Sequence, residues 1–142
     1  MFLTKELRQF LLTGLVLAAM ALFTVTATHK VAPESELPGI SARDAHALLG
    51  SPDTLVIDVR ERDNYADEHI PGAINVPQPE LQAALPSLAA SKTQKIVVYC
   101  GDGSSRGPQA TRALLDAGFA GAMNLKGGMP AWRAEKLPLD KS

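Results

Sequence analysis

Four short apolar runs dictate the architecture open to this sequence. They are "TLVIDVR" (54–60), "AINVP" (73–77), "KIVVYC" (95–100) and "AMNLKGG" (122–128). Apolar side chains at consecutive positions, rather than at every second one, need cover on both faces of a sheet. Helical patterns lie before and between the runs. "SARDAHALLG" (41–50) opens with Ser41 as N-cap and Asp44 three residues on, and stops at Gly50. "PELQAALPSLAA" (79–90) has helical spacing, with Pro79 at its start and Pro86 to end or kink it. "GPQATRALLDAG" (107–118) carries Pro108 in its first turn and Gly118 at its end, and "MPAWRAE" (129–135) is a short closing helix with Trp132 as a core plug. "ERDNYADEHIPG" (61–72) is a charged connection with one helical turn. Strands alternating with helices predict an α/β fold: a parallel sheet, helices on both faces, right-handed crossovers.

The N-terminus is different material. Lys5 and Arg8 precede an uncharged run from Phe10 to Thr28. Basic residues before an apolar stretch keep that end in the cytoplasm and send the remainder across. "VTA" at 25–27 offers small residues to a signal peptidase, and the run is also just long enough to span a bilayer. Residues 1–28 are therefore a cleaved signal peptide or a retained transmembrane anchor. Either way the rest is expected outside the cytoplasm, in the periplasm of a Gram-negative cell, with membrane association possible through residues 10–28. "HKVAPESELPG" (29–39) reads as a polar linker, and the domain runs over 40–142.

Composition excludes more than it selects. The formal net charge is −1, which gives no electrostatic case for nucleic acid. A single cysteine excludes an internal disulfide and a multi-cysteine metal site, and His29, His46 and His69 show no ligand spacing. No metal or cofactor is expected.

That cysteine, Cys100, ends the third apolar run, and "GDGSSR" (101–106) leads into the next helix. Ligands of open parallel sheets bind beyond the carboxyl ends of the strands. There the free N–H groups of a helix start converge and its dipole adds positive charge. Gly101 and Gly103 let the loop curl, Ser104 and Ser105 add hydroxyls, and Arg106 adds a forked cation. Thiols at helix N-termini near a cation ionise at pH of roughly 3.5–7.5, against about 8.5 when free. The expected nucleophile is thus Cys100, with Gly101, Asp102, Gly103, Ser104, Ser105 and Arg106 forming an anion-binding cradle.

Three segments together resemble the rhodanese-like domain: "VIDVRERDNYADEHIPGAINVP", "IVVYCGDGSSR" and "AGFAGAMNLKGGMPAWR", over roughly residues 40–136. The resemblance implies a three-layer α/β fold with a five-stranded parallel sheet, its short extra strand near Gly39–Ile40. It implies that Cys100 carries a persulfide, that residues 101–105 are its backbone cradle, and that Asp58 and Arg60 are a buried polar brace. His69 would fix its loop. The implied partners are a small anionic sulfur donor such as thiosulfate and a thiol or cyanide acceptor. Two positions depart from the family's pattern. Glu68 stands where glycine is common. Arg106 lies six residues after Cys100, where single-domain rhodaneses often have five. Cys-x5-Arg is similar to the loops of rhodanese-fold phosphatases and arsenate reductases, whose wider ring wraps a tetrahedral oxyanion. Gly103 fits the sulfurtransferase register, Tyr99 stands where those phosphatases have histidine, and no general acid for an alkoxide leaving group is marked. Sulfur transfer is the leading expectation. An oxyanion enzyme and a non-enzymatic sulfur-relay or binding module remain the alternatives.

Overall fold

A computed structural model describes residues 37–142. The expectations for residues 1–28 and for the linker up to residue 36 lie outside the described residues. The elements run β1 (Gly39–Ile40), α1 (Ala42–Leu48), β2 (Thr54–Asp58), α2 (Arg62–Asp67), β3 (Ile74–Asn75), α3 (Leu81–Ala84), β4 (Lys95–Tyr99), α4 (Arg106–Asp116), β5 (Ala122–Leu125) and α5 (Gly128–Ala134), with single 3-10 turns at Gln78–Glu80 and Ala89–Ser91. All five strands are parallel, in the order β1-β5-β4-β2-β3. Central β4 pairs with β2 along its whole length, from Thr54 opposite Lys95 to Asp58 opposite Tyr99. This is the α/β architecture expected.

The continuous apolar runs are covered on both faces. Along β4, Ile96 and Val98, with Cys100 beyond the strand end, join Ile57 and Val59 under α3 and α4, through Leu81, Ala110 and Leu114. Val97 and Tyr99 face the opposite way and join Val56 under α1 and α5, through Ala42, Ala45, Met129 and Trp132. Trp132 is fully buried, and its indole N–H donates to the Pro138 carbonyl at 2.8 Å. Truncating a buried side chain of this size to alanine costs roughly 3–5 kcal/mol.

Some boundaries differ from the sequence reading, for local reasons. Gly39, placed in the linker by composition, is already in the sheet as part of the short extra strand, opposite Asn124. Ser41 caps α1 as expected: its hydroxyl oxygen accepts the Asp44 N–H at 3.2 Å. The segment 79–90 is not one helix. Pro86 leaves a four-residue α3 and a separate 3-10 turn. The 61–72 connection holds a six-residue helix rather than one turn.

Candidate active site

β4 ends at Tyr99, so Cys100 is the first residue past the strand rather than its last, at the carboxyl edge of the sheet. The thiol is buried, with 1% of the residue exposed. The Gly103 N–H donates to Cys100 Sγ at 3.1 Å. This bond requires the chain to double back. Gly103 has φ of +75°, and a Cβ there would lie 2.4 Å from the Gly128 nitrogen. The loop is thus pressed against the start of α5, where Met129 N–H also donates to the Cys100 carbonyl at 3.2 Å. Gly107, one residue into α4, brings the helix against the sulfur: a Cβ there would sit 3.2 Å from Sγ and 2.5 Å from Asn124 Oδ1. Gly101, by contrast, faces open space and has no positive φ, so it does not curl the loop as expected.

Asp102 changes the electrostatics of the cradle. Its Oδ1 accepts the Ser104 N–H at 3.0 Å and receives Cys100 Sγ at 3.4 Å. The bonds from Ser104, then that from Cys100, hold the carboxyl below its ordinary range, so it is ionised at neutral pH. One N–H of the loop therefore serves the sulfur and the next serves a carboxylate. Arg106 is the first residue of α4. Its guanidinium turns to the rim and meets Glu61 Oε1 at 3.1 Å, with about half of each side chain exposed.

Cys100, Gly101, Asp102, Ser105, Arg106 and Arg60 line one open cleft of about 470 Å³. Gly103 and Ser104 do not. They line a separate hollow of about 290 Å³ with Asn124 and Lys126. Three residues on the cleft went unseen in the sequence: Asn64 from α2, and Met129 and Arg133 from α5. The only signal for them was their place in the 61–72 connection and the closing helix. Glu68, the departure noted above, is the partner of Arg133: both Nε, at 2.7 Å, and Nη2 donate to Glu68 Oε1.

On the cleft wall, Arg60 forms a brace with Asp58 behind it. Asp58 is fully buried at the end of β2, and Arg60 is 6% exposed. Arg60 Nε and Nη2 donate to the Asp58 carboxylate at 2.7–3.0 Å, and Nη2 also donates to the Glu68 carbonyl at 2.7 Å. Burial alone would lower the guanidinium's affinity for its proton; the Asp58 hydrogen bonds and charge outweigh it and raise the pKa. The same guanidinium lies 5.5 Å from the centre of the Tyr99 ring. Burial, then the Asp58 charge, raises the Tyr99 phenol well above its ordinary range, and its oxygen accepts the Ile70 N–H at 3.1 Å. His69 stacks on Tyr65 at 3.9 Å, and its Nδ1–H donates to the Tyr65 carbonyl at 2.9 Å.

The thiol thus stands at the carboxyl edge of a parallel α/β sheet, where such sheets bind their ligands, and is held by a backbone N–H of the loop that leads into a helix. The sequence model of the family described as "Rhodanese-like domain" matches residues 41–135, and the chain belongs to that family. Among its relatives, the uncharacterized protein YibN of Escherichia coli K12 is 34% identical over 106 residues, 74% of this chain and 73% of YibN. The human thiosulfate:glutathione sulfurtransferase is 33% identical over 107 residues, 67% of this chain and 92% of the human protein. The crystal structure of Alr3790 from Anabaena sp. superposes with a TM-score of 0.64 at 33% identity, covering 72% of this chain and 82% of that one.

Proposed function

We propose that the domain is a sulfurtransferase that carries sulfane sulfur on Cys100. One observation supports this above the rest: the Gly103 N–H aimed at Cys100 Sγ, in a cleft flanked by Arg60 and Arg106. The thiolate attacks the outer sulfur of thiosulfate. A bond forms between Sγ and that sulfur, the sulfur–sulfur bond of thiosulfate breaks, and its electron pair leaves on sulfite. Sulfite needs no proton to depart, so the cleft needs no general acid. The persulfide then passes its outer sulfur to cyanide or a thiol, and Cys100 returns as thiolate. Arg106 attracts the anions at the cleft mouth. The name of the human relative, and its match over nearly its whole length, support both half-reactions for this chain.

The oxyanion reading rests on the spacing from Cys100 to Arg106. Asp102 weighs against it: its carboxylate occupies the Ser104 N–H that a phosphate or arsenate ligand needs. A single sulfur atom asks for fewer donors, and Gly103 supplies one. Thiosulfate:cyanide transfer that is lost in Cys100→Ser supports the sulfurtransferase. Hydrolysis of an aryl phosphate with no transfer from thiosulfate would replace it.

We infer from the sequence that residues 1–28 deliver this chemistry to the far side of a membrane. Fractionation of cells expressing the full chain tests this: the domain is expected with the envelope or periplasm, and recovery in the cytosol contradicts it.

A further inference from the structure

The mouth of the cleft carries a second cation whose role the donor reaction does not explain. Arg133 projects from α5 onto the cleft that holds Cys100, with about half of its side chain exposed. Two of its N–H groups already take a carboxylate oxygen, that of Glu68. Solvent-accessible pairs of this kind contribute little, so water and other carboxylates compete for the guanidinium. Arg60 is the contrast: its carboxylate partner is buried and stays. Arg133 is therefore built to receive a carboxylate and holds one that is readily exchanged.

Thiosulfate is compact: its charge is shared by the outer sulfur that meets Cys100 and the sulfite group one bond away. It has no second anionic group to reach the rim. A thiol acceptor of peptide size does. Resting on the sulfurtransferase reading above, we propose that Arg133 sets acceptor specificity by docking a carboxylate of an acidic thiol, with Glu68 as the internal competitor it displaces. The docked thiol gives its proton to the outer sulfur of the Cys100 persulfide anion, and the resulting thiolate attacks that sulfur. A bond forms between the two sulfurs, the bond from the outer sulfur to Sγ breaks, and its electron pair stays on Sγ. The proton remains on the transferred sulfur, and the acceptor leaves as a persulfide.

The test compares glutathione, which carries two carboxylates, with its diethyl ester, using thiosulfate as donor at low ionic strength. The quantity read is the ratio of kcat/KM for glutathione to that for the ester. Arg133→Gln is expected to lower this ratio roughly fivefold, through KM for glutathione, in line with an exposed charge-assisted contact. Arg133→Lys is expected to keep part of the preference, and Glu68→Gln to raise it by freeing the guanidinium. A ratio unchanged in both Arg133→Gln and Glu68→Gln, with the wild type active, overturns the docking role alone. A wild type that takes no sulfur from thiosulfate with cyanide or either thiol overturns the sulfurtransferase reading and this one together.

Discussion

Arg60 and Arg106 stand on the same cleft and differ in nearly everything else. Arg60 is almost fully enclosed, forked onto a buried carboxylate and tied to a backbone carbonyl eight residues on. Arg106 is half exposed and meets one oxygen of an exposed glutamate. A buried charge is costly without its partner, so the first pair holds a geometry rather than a ligand. A solvated pair contributes little and can open, so the second cation is available to an incoming anion. Charge on this cleft is thus of two kinds: fixed at Arg60 and exchangeable at Arg106.

Substitutions at and around the two pairs separate a fixed charge from an exchangeable one. Asp58→Ala strands the Arg60 guanidinium in the core and is expected to cost roughly 3–5 kcal/mol in denaturant unfolding; a loss under about 1 kcal/mol would put both arginines in one class. Gly103→Ala forces a Cβ onto the Gly127–Gly128 backbone at positive φ. About 1–3 kcal/mol should be lost, and sulfur transfer should fall further than stability, because the N–H on Sγ moves.

Tyr99→Phe removes the acceptor of the Ile70 N–H and is expected to cost about 1 kcal/mol at neutral pH. It also carries a pH signature. The folded phenol titrates above the unfolded one, so its contribution is complete below about pH 10 and is lost as the pH rises beyond that. Wild-type stability should fall more steeply than that of Tyr99→Phe in alkaline titrations, and parallel curves would refute the assignment. Glu61→Gln, the mildest change, should shift stability by less than about 1 kcal/mol while strengthening anion attraction by Arg106. A large loss of stability there would show the rim pair to be structural.

What the sequence disclosed follows the range of the forces involved. The runs 54–60 and 95–100 revealed the buried strands, because cover on two faces leaves no polar alternation to obscure them. The loop after Cys100 was legible because strand, glycine and helix start are contiguous in the chain. Contacts made across the chain were not legible. The seat of Gly103 on Gly128 and the pairing of Glu68 with Arg133 join segments with no local trace of each other. Asp102 was visible as a loop residue, yet its hold on the Ser104 N–H depends on how the loop turns. Pro86 announced a break in segment 79–90 but not that two short turns would replace one helix.

Whether Cys100 carries sulfane sulfur is decided by the intact mass of the protein after incubation with thiosulfate, before any acceptor is added. A sulfur-carrying Cys100 requires that the wild type gain the mass of one sulfur atom at that residue, that cyanide remove it with formation of thiocyanate, and that Cys100→Ser gain nothing. A wild-type protein whose mass is unchanged by thiosulfate, or a Cys100→Ser protein that gains the same mass, would contradict it.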